Sequence, residues 1–245
     1  RPDTILISVM AVNNEIGSIQ PIEAISELLA DKPTITFHVD AVQALAKIPT
    51  EKYLIERVDF ATFSSHKFHG VRGVGFVYIK SGKKIMPLLT GGGQERDYRS
   101  TTENVAGIAA TAKALRLSME KLDIFTSKTG QMKSVIRQAL LDYPDIFVFS
   151  DEEDFAPHIL TFGIKGVRGE VIVHAFENYD IFISTTSACS SKAGKPAGTL
   201  IAMGVDKDKA QSAVRLSLDL ENDMSQVEQF LTKLKLIYNQ TRKVR

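Results

Sequence analysis

The sequence predicts an α/β protein whose first part is a sheet of parallel strands and whose second part is a smaller α+β domain. Three observations carry this. Apolar runs at Ile5–Val12, Thr34–Val39 and Val58–Phe63 come in strand–helix–strand order, as parallel strands joined by right-handed crossovers require. Polar residues collect just after each run, where α/β sheets bind ligands. After Tyr143-Pro144 the pattern shortens to brief strands and helices. The expected domains are 1–122 and 123–245.

Ile5–Val12 reads as a buried parallel strand ending in the polar loop Asn13–Gly17. Pro21 opens a helix with Ile22, Ile25, Leu28 and Leu29 at helical spacing, stopping near Lys32-Pro33. Thr34–Val39 delivers His38, Asp40 and Gln43 at its C-terminal end. Lys52–Glu56 reads as a helical turn. Val58–Phe63 runs into Ser64-Ser65-His66-Lys67, and Gly75–Ile79 is the next strand. Asn104–Asp123 reads as a long helix with Val105, Ile108, Ala112, Leu115 and Met119 on one face. Lys128–Leu141 is a second helix. Beyond it lie strands at Ile146–Phe149, His158–Phe162, Ile181–Thr185 and Val214–Leu218, with helices at Gly169–Tyr179, Thr199–Met203 and Ser225–Tyr238. In the last helix Val227, Phe230, Leu231, Leu234 and Ile237 face inward.

The 245 residues are 44% hydrophobic and 24% charged, so the chain can bury a substantial core. A net charge of +1 gives no global field for nucleic acid or an acidic membrane. The single cysteine, Cys189, excludes an internal disulfide framework and a multi-cysteine metal site, and fits a reducing, cytoplasmic setting. No uninterrupted apolar stretch is long enough to span a membrane, and the opening residues do not read as a signal peptide. A buried strand so close to Arg1 leads to the expectation of further sequence upstream.

Four features carry candidate chemistry. Lys67, at a strand end beside hydroxyls and a histidine, is either a solvated loop lysine or the amine that holds a carbonyl cofactor. His38 and Asp40 share a strand face, but no third ligand at metal spacing accompanies them, so no metal is expected. Asp40 with Gln43 suits a heterocycle instead, the carboxylate facing a ring nitrogen. Gly91-Gly92-Gly93 with Arg96, Arg99, Ser100 and Thr102 reads as a flexible loop or an anion-binding one. Cys189 sits among small polar residues with Lys192 and Lys195 nearby, and is either an inert loop thiol or a reactive thiolate.

Six motifs in order, VNNEIG (Val12–Gly17), HVDAVQ (His38–Gln43), SSHKFHG (Ser64–Gly70), GGGQERDYRSTT (Gly91–Thr102), SACSS (Ser187–Ser191) and VRLSL (Val214–Leu218), resemble those of the pyridoxal-phosphate-dependent cysteine desulfurases of the class V aminotransferase group. The resemblance covers nearly the whole chain. It implies the fold type I architecture of pyridoxal-phosphate transferases, a mostly parallel central sheet with helices on both faces. It implies that Lys67 carries pyridoxal 5'-phosphate, that Asp40 pairs with its pyridine nitrogen, and that Gln43 and Asn14 serve the ring oxygen and the substrate. Ser64 and His66 would bind the phosphate. Thr102 would reach the phosphate of a partner subunit, which makes the expected assembly a homodimer. Arg215 would grip the carboxylate of L-cysteine, and Cys189 would take its sulfur as a persulfide. The Ser-, Gly- and Lys-containing loop around Cys189 is similar to that of the branch with an extended mobile loop. A sulfur acceptor protein follows, an iron–sulfur cluster scaffold or a tRNA sulfurtransferase. Selenocysteine lyase, another class V aminotransferase, or a non-catalytic sulfur-transfer scaffold are the alternatives. The family's upstream glycine/threonine phosphate loop and its ring-stacking histidine have no counterpart in these residues, so the chain alone is expected to lack part of the pocket and to be inactive.

Overall fold

A computed structural model describes residues 1–151, 153–186 and 198–243. They form two compact units. One comprises Arg1–Ala11 with Gln20–Leu122, the other Val12–Ile19 with Asp123–Arg245.

The first unit is built on a four-stranded sheet in the order β1 (Leu6–Met10), β2 (Thr36–Asp40), β3 (Phe60–Ser64), β4 (Gly75–Ile79). β1, β2 and β3 are parallel; β4 returns antiparallel to β3. Helix α1 (Ile22–Leu28) links the first two strands, and α2 (Val105–Met119) follows the sheet. Phe37, Val39, Val58, Ala61 and Phe68 are buried, and Phe63 stacks on Phe76 at 4.6 Å between ring centroids. At the N-terminal end of β3 a buried carboxylate ties the layers together. Asp59 Oδ2 accepts from the Phe37 amide and from Arg57 Nη1, both at 2.9 Å, and Lys83 Nζ lies 3.1 Å from Oδ1. Arg57 also donates to the carbonyls of Leu29, Lys32 and Ile35, fastening the end of α1 to the sheet.

Four features of this unit depart from what the sequence suggests. β1 is an edge strand rather than a buried one, with Ile5 77% and Leu6 54% exposed. Leu28 of α1 points outward while Leu29 is buried. In α2 the apolar face is the outer one: Val105, Ile108 and Met119 are exposed, and Gly107 and Thr111 are buried. The turn expected at Lys52–Glu56 is a 3-10 turn at Thr50–Lys52.

The second unit is an antiparallel sheet, β5 (Ile146–Val148), β6 (Ile159–Ile164), β8 (Ala213–Ser217) and β7 (Ser184–Thr185) in that spatial order. Its helices are α3 (Leu122–Leu141), which begins six residues earlier than periodicity indicates, α4 (Gly169–Glu177), α5 (Gly198–Ala202), α6 (Lys207–Gln211) and α7 (Met224–Lys243). Phe230 is the centre of the core, stacked on Phe176 at 4.9 Å and edge-on to Phe162 at 6.2 Å. Val227, Leu234 and Ile237 of α7 are buried beside it, as their spacing requires, and Leu231 is partly buried. A reciprocal cap starts α7: Asp223 Oδ1 accepts from the Gln226 amide at 3.0 Å, and Gln226 Oε1 accepts from the Asp223 amide at 3.2 Å. Helix α6 has no apolar periodicity; Asp206 caps it by accepting from the amides of Asp208 and Lys209.

Candidate active site

Parallel pairing fixes the first half of the site. Asp40 lies opposite Thr62 in the β2–β3 register, so the chain leaves both strands at one sheet edge. Asp40 sits exposed at that edge, its Oδ1 accepting from the Val42 amide at 3.0 Å. Gln43 follows in the next turn, half-buried. β3 ends at Ser64 and enters a 3-10 turn, Ser65–Phe68, which presents His66 to solvent and leaves Lys67 half-exposed. His69 closes the turn in the left-handed region, φ 65°, and the Gly70 amide donates back to Ser65 O at 3.0 Å.

Thr111 and Ser118 of α2, which the sequence reading did not single out, hold this turn. Ser65 is fully buried, its hydroxyl 2.9 Å from Thr111 Oγ1, which itself donates to Gly107 O at 2.7 Å. Two turns further along α2, Ser118 Oγ donates to Phe68 O at 3.1 Å. The doubled serine of the SSHK motif was the available signal: Ser64 is half-exposed at the strand end, and Ser65 is an internal fastener.

His38 lies behind Asp40 on the same strand face. Its Nδ1 is 2.7 Å from Ser8 Oγ and its Nε2 3.1 Å from Thr62 Oγ1, so the ring bridges three strands. Burial holds its pKa below the ordinary imidazole value, against the opposing pull of the Asp40 carboxylate. Thr102 is exposed in the irregular stretch before α2, two residues ahead of Asn104, whose Oδ1 caps that helix through the Gly107 amide at 3.0 Å. Upstream of it, Glu95, Arg96 and Asp97 all have φ between 49° and 66°, a left-handed turn of three non-glycine residues.

The remaining candidates belong to the second unit. Arg215, on β8, pairs with Thr161 of β6 and Ser184 of β7. Its Nη1 donates to Asn14 O at 2.7 Å. Asn13 shapes the loop around Asn14, its Oδ1 accepting from the amides of Glu15 and Ile16 at 2.8 and 3.0 Å. Cys189 lies outside the described residues. The structure thus groups Asp40, Gln43, Ser64, His66, Lys67 and Thr102 in one unit and Asn14 and Arg215 in the other. Among the described residues no cluster of three or more metal-ligating side chains occurs. No helix there is long and apolar enough to cross a membrane.

The class-V aminotransferase family matches residues 1–230. A protein of Lactobacillus delbrueckii subsp. bulgaricus named a NifS/IcsS protein homolog is 50% identical over 243 residues, 99% of this chain and 63% of that protein. Cysteine desulfurase IscS of Clostridium botulinum is 38% identical over 245 residues, 99% of this chain and 61% of that one. A solved NifS-like protein superposes with a TM-score of 0.87 at 37% identity, covering 97% of this chain and 62% of its own. The NifS-like protein of Rickettsia africae gives 0.85 at 30% identity, covering 96% and 62%. The chain therefore spans a little over three fifths of the length of these relatives. With one family profile running through both units and relatives aligned over nearly every residue, this chain belongs to the class-V aminotransferase family.

Proposed function

We propose that the protein is a pyridoxal-phosphate-dependent cysteine desulfurase that converts L-cysteine to L-alanine and passes the sulfur to an acceptor through Cys189. The observation that carries this is the sheet edge of the first unit, where the parallel register sets an exposed carboxylate beside a lysine turn. The donor set there fits the cofactor: an amine for the aldehyde, a carboxylate for the ring nitrogen, and a hydroxyl with an imidazole for the phosphate. When bound, pyridoxal 5'-phosphate supplies an electron sink for chemistry at the amino acid Cα. Lys67 would hold it, Asp40 would accept from the pyridine N–H, Gln43 would reach the ring oxygen, and Ser64 and His66 would donate to the phosphate. Thr102 would serve the phosphate of a partner subunit in a homodimer.

The rest of the reaction falls to the chain's own groups. Lys67 Nζ takes the Cα proton and returns one to the product. Arg215 holds the substrate carboxylate by a forked, charge-assisted contact, with Asn14 beside the substrate. The Cys189 thiolate attacks the substrate sulfur: an S–S bond forms, the C–S bond breaks, and its electron pair stays on carbon, which is protonated to alanine. L-Cysteine and enzyme thiol become L-alanine and enzyme persulfide, with no external oxidant. In this reading the first unit is part of the large cofactor domain, and residues 123–245 form the smaller domain. The acceptor is an iron–sulfur cluster scaffold or a tRNA sulfurtransferase, and the setting is cytoplasmic, in keeping with a lone cysteine.

The test uses the full-length protein and 35S-labelled L-cysteine. Reductant-releasable label on Cys189, matched one to one by alanine and absent from Cys189→Ala, is expected, and each acceptor is then asked to remove it. Alanine and sulfide release undiminished in Cys189→Ala would sink the persulfide role.

A further inference from the structure

The VNNEIG motif holds a residue that the reaction above leaves unused. Val12–Ile19 is a strap inside the second unit, and four consecutive carbonyls fasten it to four different places. Asn14 O accepts from Arg215 Nη1 at 2.7 Å, Glu15 O from Thr161 Oγ1 at 2.6 Å, Ile16 O from Ser150 Oγ at 2.5 Å, and Gly17 O from the Ala156 amide at 2.7 Å. Gly17 lies at φ +84°, and a Cβ there would stand 2.9 Å from Ile159 Cβ, so the strap lies directly on β6. A segment satisfied at four successive carbonyls has little freedom to shift.

Its one acidic side chain points to a different element. Glu15 Oε2 accepts from the Thr199 amide at 3.1 Å, and Asn13 Nδ2 donates to Thr199 Oγ1 at 3.3 Å. Thr199 is in the first turn of α5, ten residues after Cys189 in sequence. The first amides of a helix have no partner within it, and a carboxylate there satisfies both the hydrogen bond and the helix dipole.

We propose, building on the desulfurase reading above, that Glu15 is a positioning residue of the reaction. Its carboxylate holds the amide of Thr199, ten residues after Cys189 in sequence, and it does so from the same strap whose Asn14 carbonyl accepts from Arg215. Arg215 and the first turn of α5, the first described element after Cys189, are thereby referred to one piece of backbone.

The test compares Glu15→Ala and Glu15→Gln in the full-length protein. Loss of a capping acceptor corresponds to roughly tenfold in a local equilibrium, so Glu15→Ala is expected to speed amide exchange at Thr199 about tenfold. It should also lower kcat for alanine formation by a similar factor, with KM for L-cysteine within about twofold of wild type, because the Asn14–Arg215 contact uses backbone that the substitution leaves in place. Glu15→Gln keeps an acceptor oxygen and should recover most of both losses. Unchanged exchange at Thr199 in Glu15→Ala, a glutamine variant as impaired as alanine, or a loss confined to KM would overturn the proposal. The exchange measurement needs neither cofactor nor substrate. A wild-type protein that makes no alanine from L-cysteine therefore sinks the desulfurase reading, while unchanged exchange sinks the anchor.

Discussion

Replacing Asp59 by alanine tests the ionic fastening of the first unit. The carboxylate is 2% exposed and meets the Phe37 amide, Arg57 and Lys83 at once. Removing one member of a buried ion pair typically costs 3–5 kcal/mol, because the partners stay behind unsatisfied. Arg57 and Lys83 keep some access to water, with side chains 18% and 33% exposed, so the lower end of about 3 kcal/mol is expected. Arg57 would keep its three carbonyl contacts, which limits the damage further. The loss should also depend on pH. Burial alone would raise the Asp59 pKa, but the Phe37 amide, Lys83 and Arg57 outweigh it and hold the carboxyl below its ordinary value of 3.8. The unfolded chain therefore binds the proton first, and the contribution is complete above the unfolded value and lost as pH falls through the folded one. The chain has no tryptophan, so urea unfolding is followed by far-ultraviolet circular dichroism. The gap between wild type and Asp59→Ala should hold from pH 7 to about 5 and narrow below about 4. A gap under about 1 kcal/mol at pH 7, or one that does not narrow in acid, would refute the account.

Arg215→Lys should raise KM for L-cysteine roughly tenfold or more while leaving kcat within a few-fold, since an ammonium cannot make the forked contact with a carboxylate. Steady-state kinetics on the full-length protein separates the two parameters, and a loss in kcat alone would contradict the assignment. Gly75→Ala should cost about 2 kcal/mol, because the added Cβ would stand 2.6 Å from Phe63 O, a backbone atom that cannot move without parting β4 from β3. Urea unfolding measures it, and an unchanged midpoint would show that the hairpin yields without cost.

The parts of the site that follow from chain direction were legible in the sequence. Asp40 and Lys67 lie 27 positions apart, yet parallel strands ending in polar residues are enough to bring both to one edge. Parallel pairing did not extend to β4, and the spacing says why: only ten residues, Ser65–Val74, separate it from β3. A parallel crossover needs a dozen or more, so the strand had to return antiparallel. Two other features were hidden for chemical reasons. Helix α6 is made by a cap rather than by an apolar stripe. The Glu15–Thr199 contact joins residues 184 positions apart through a single hydrogen bond, and no periodicity encodes that.

The rotation of α2 relative to its expected face has a cause that bears on the site. Hydrophobic spacing points to Val105, Ile108 and Met119, but those side chains are exposed, and the face turned inward carries Gly107, Thr111 and Ser118. Each of these three serves the turn that holds Lys67 or the strand next to it. Gly107 admits Val74, whose Cγ2 would lie 2.8 Å from any Cβ placed there. Thr111 bonds the Ser65 hydroxyl, and Ser118 bonds the Phe68 carbonyl. A stripe of small and hydroxyl-bearing residues scores poorly as a core, yet it is what a 3-10 turn needs. Such a turn brings its backbone close to the helix and leaves hydrogen-bonding groups that must be met when buried. The residues that misled the periodicity are thus the ones that fix where Lys67 stands, and the burial of Ser65 is the physical link between the helix and the amine.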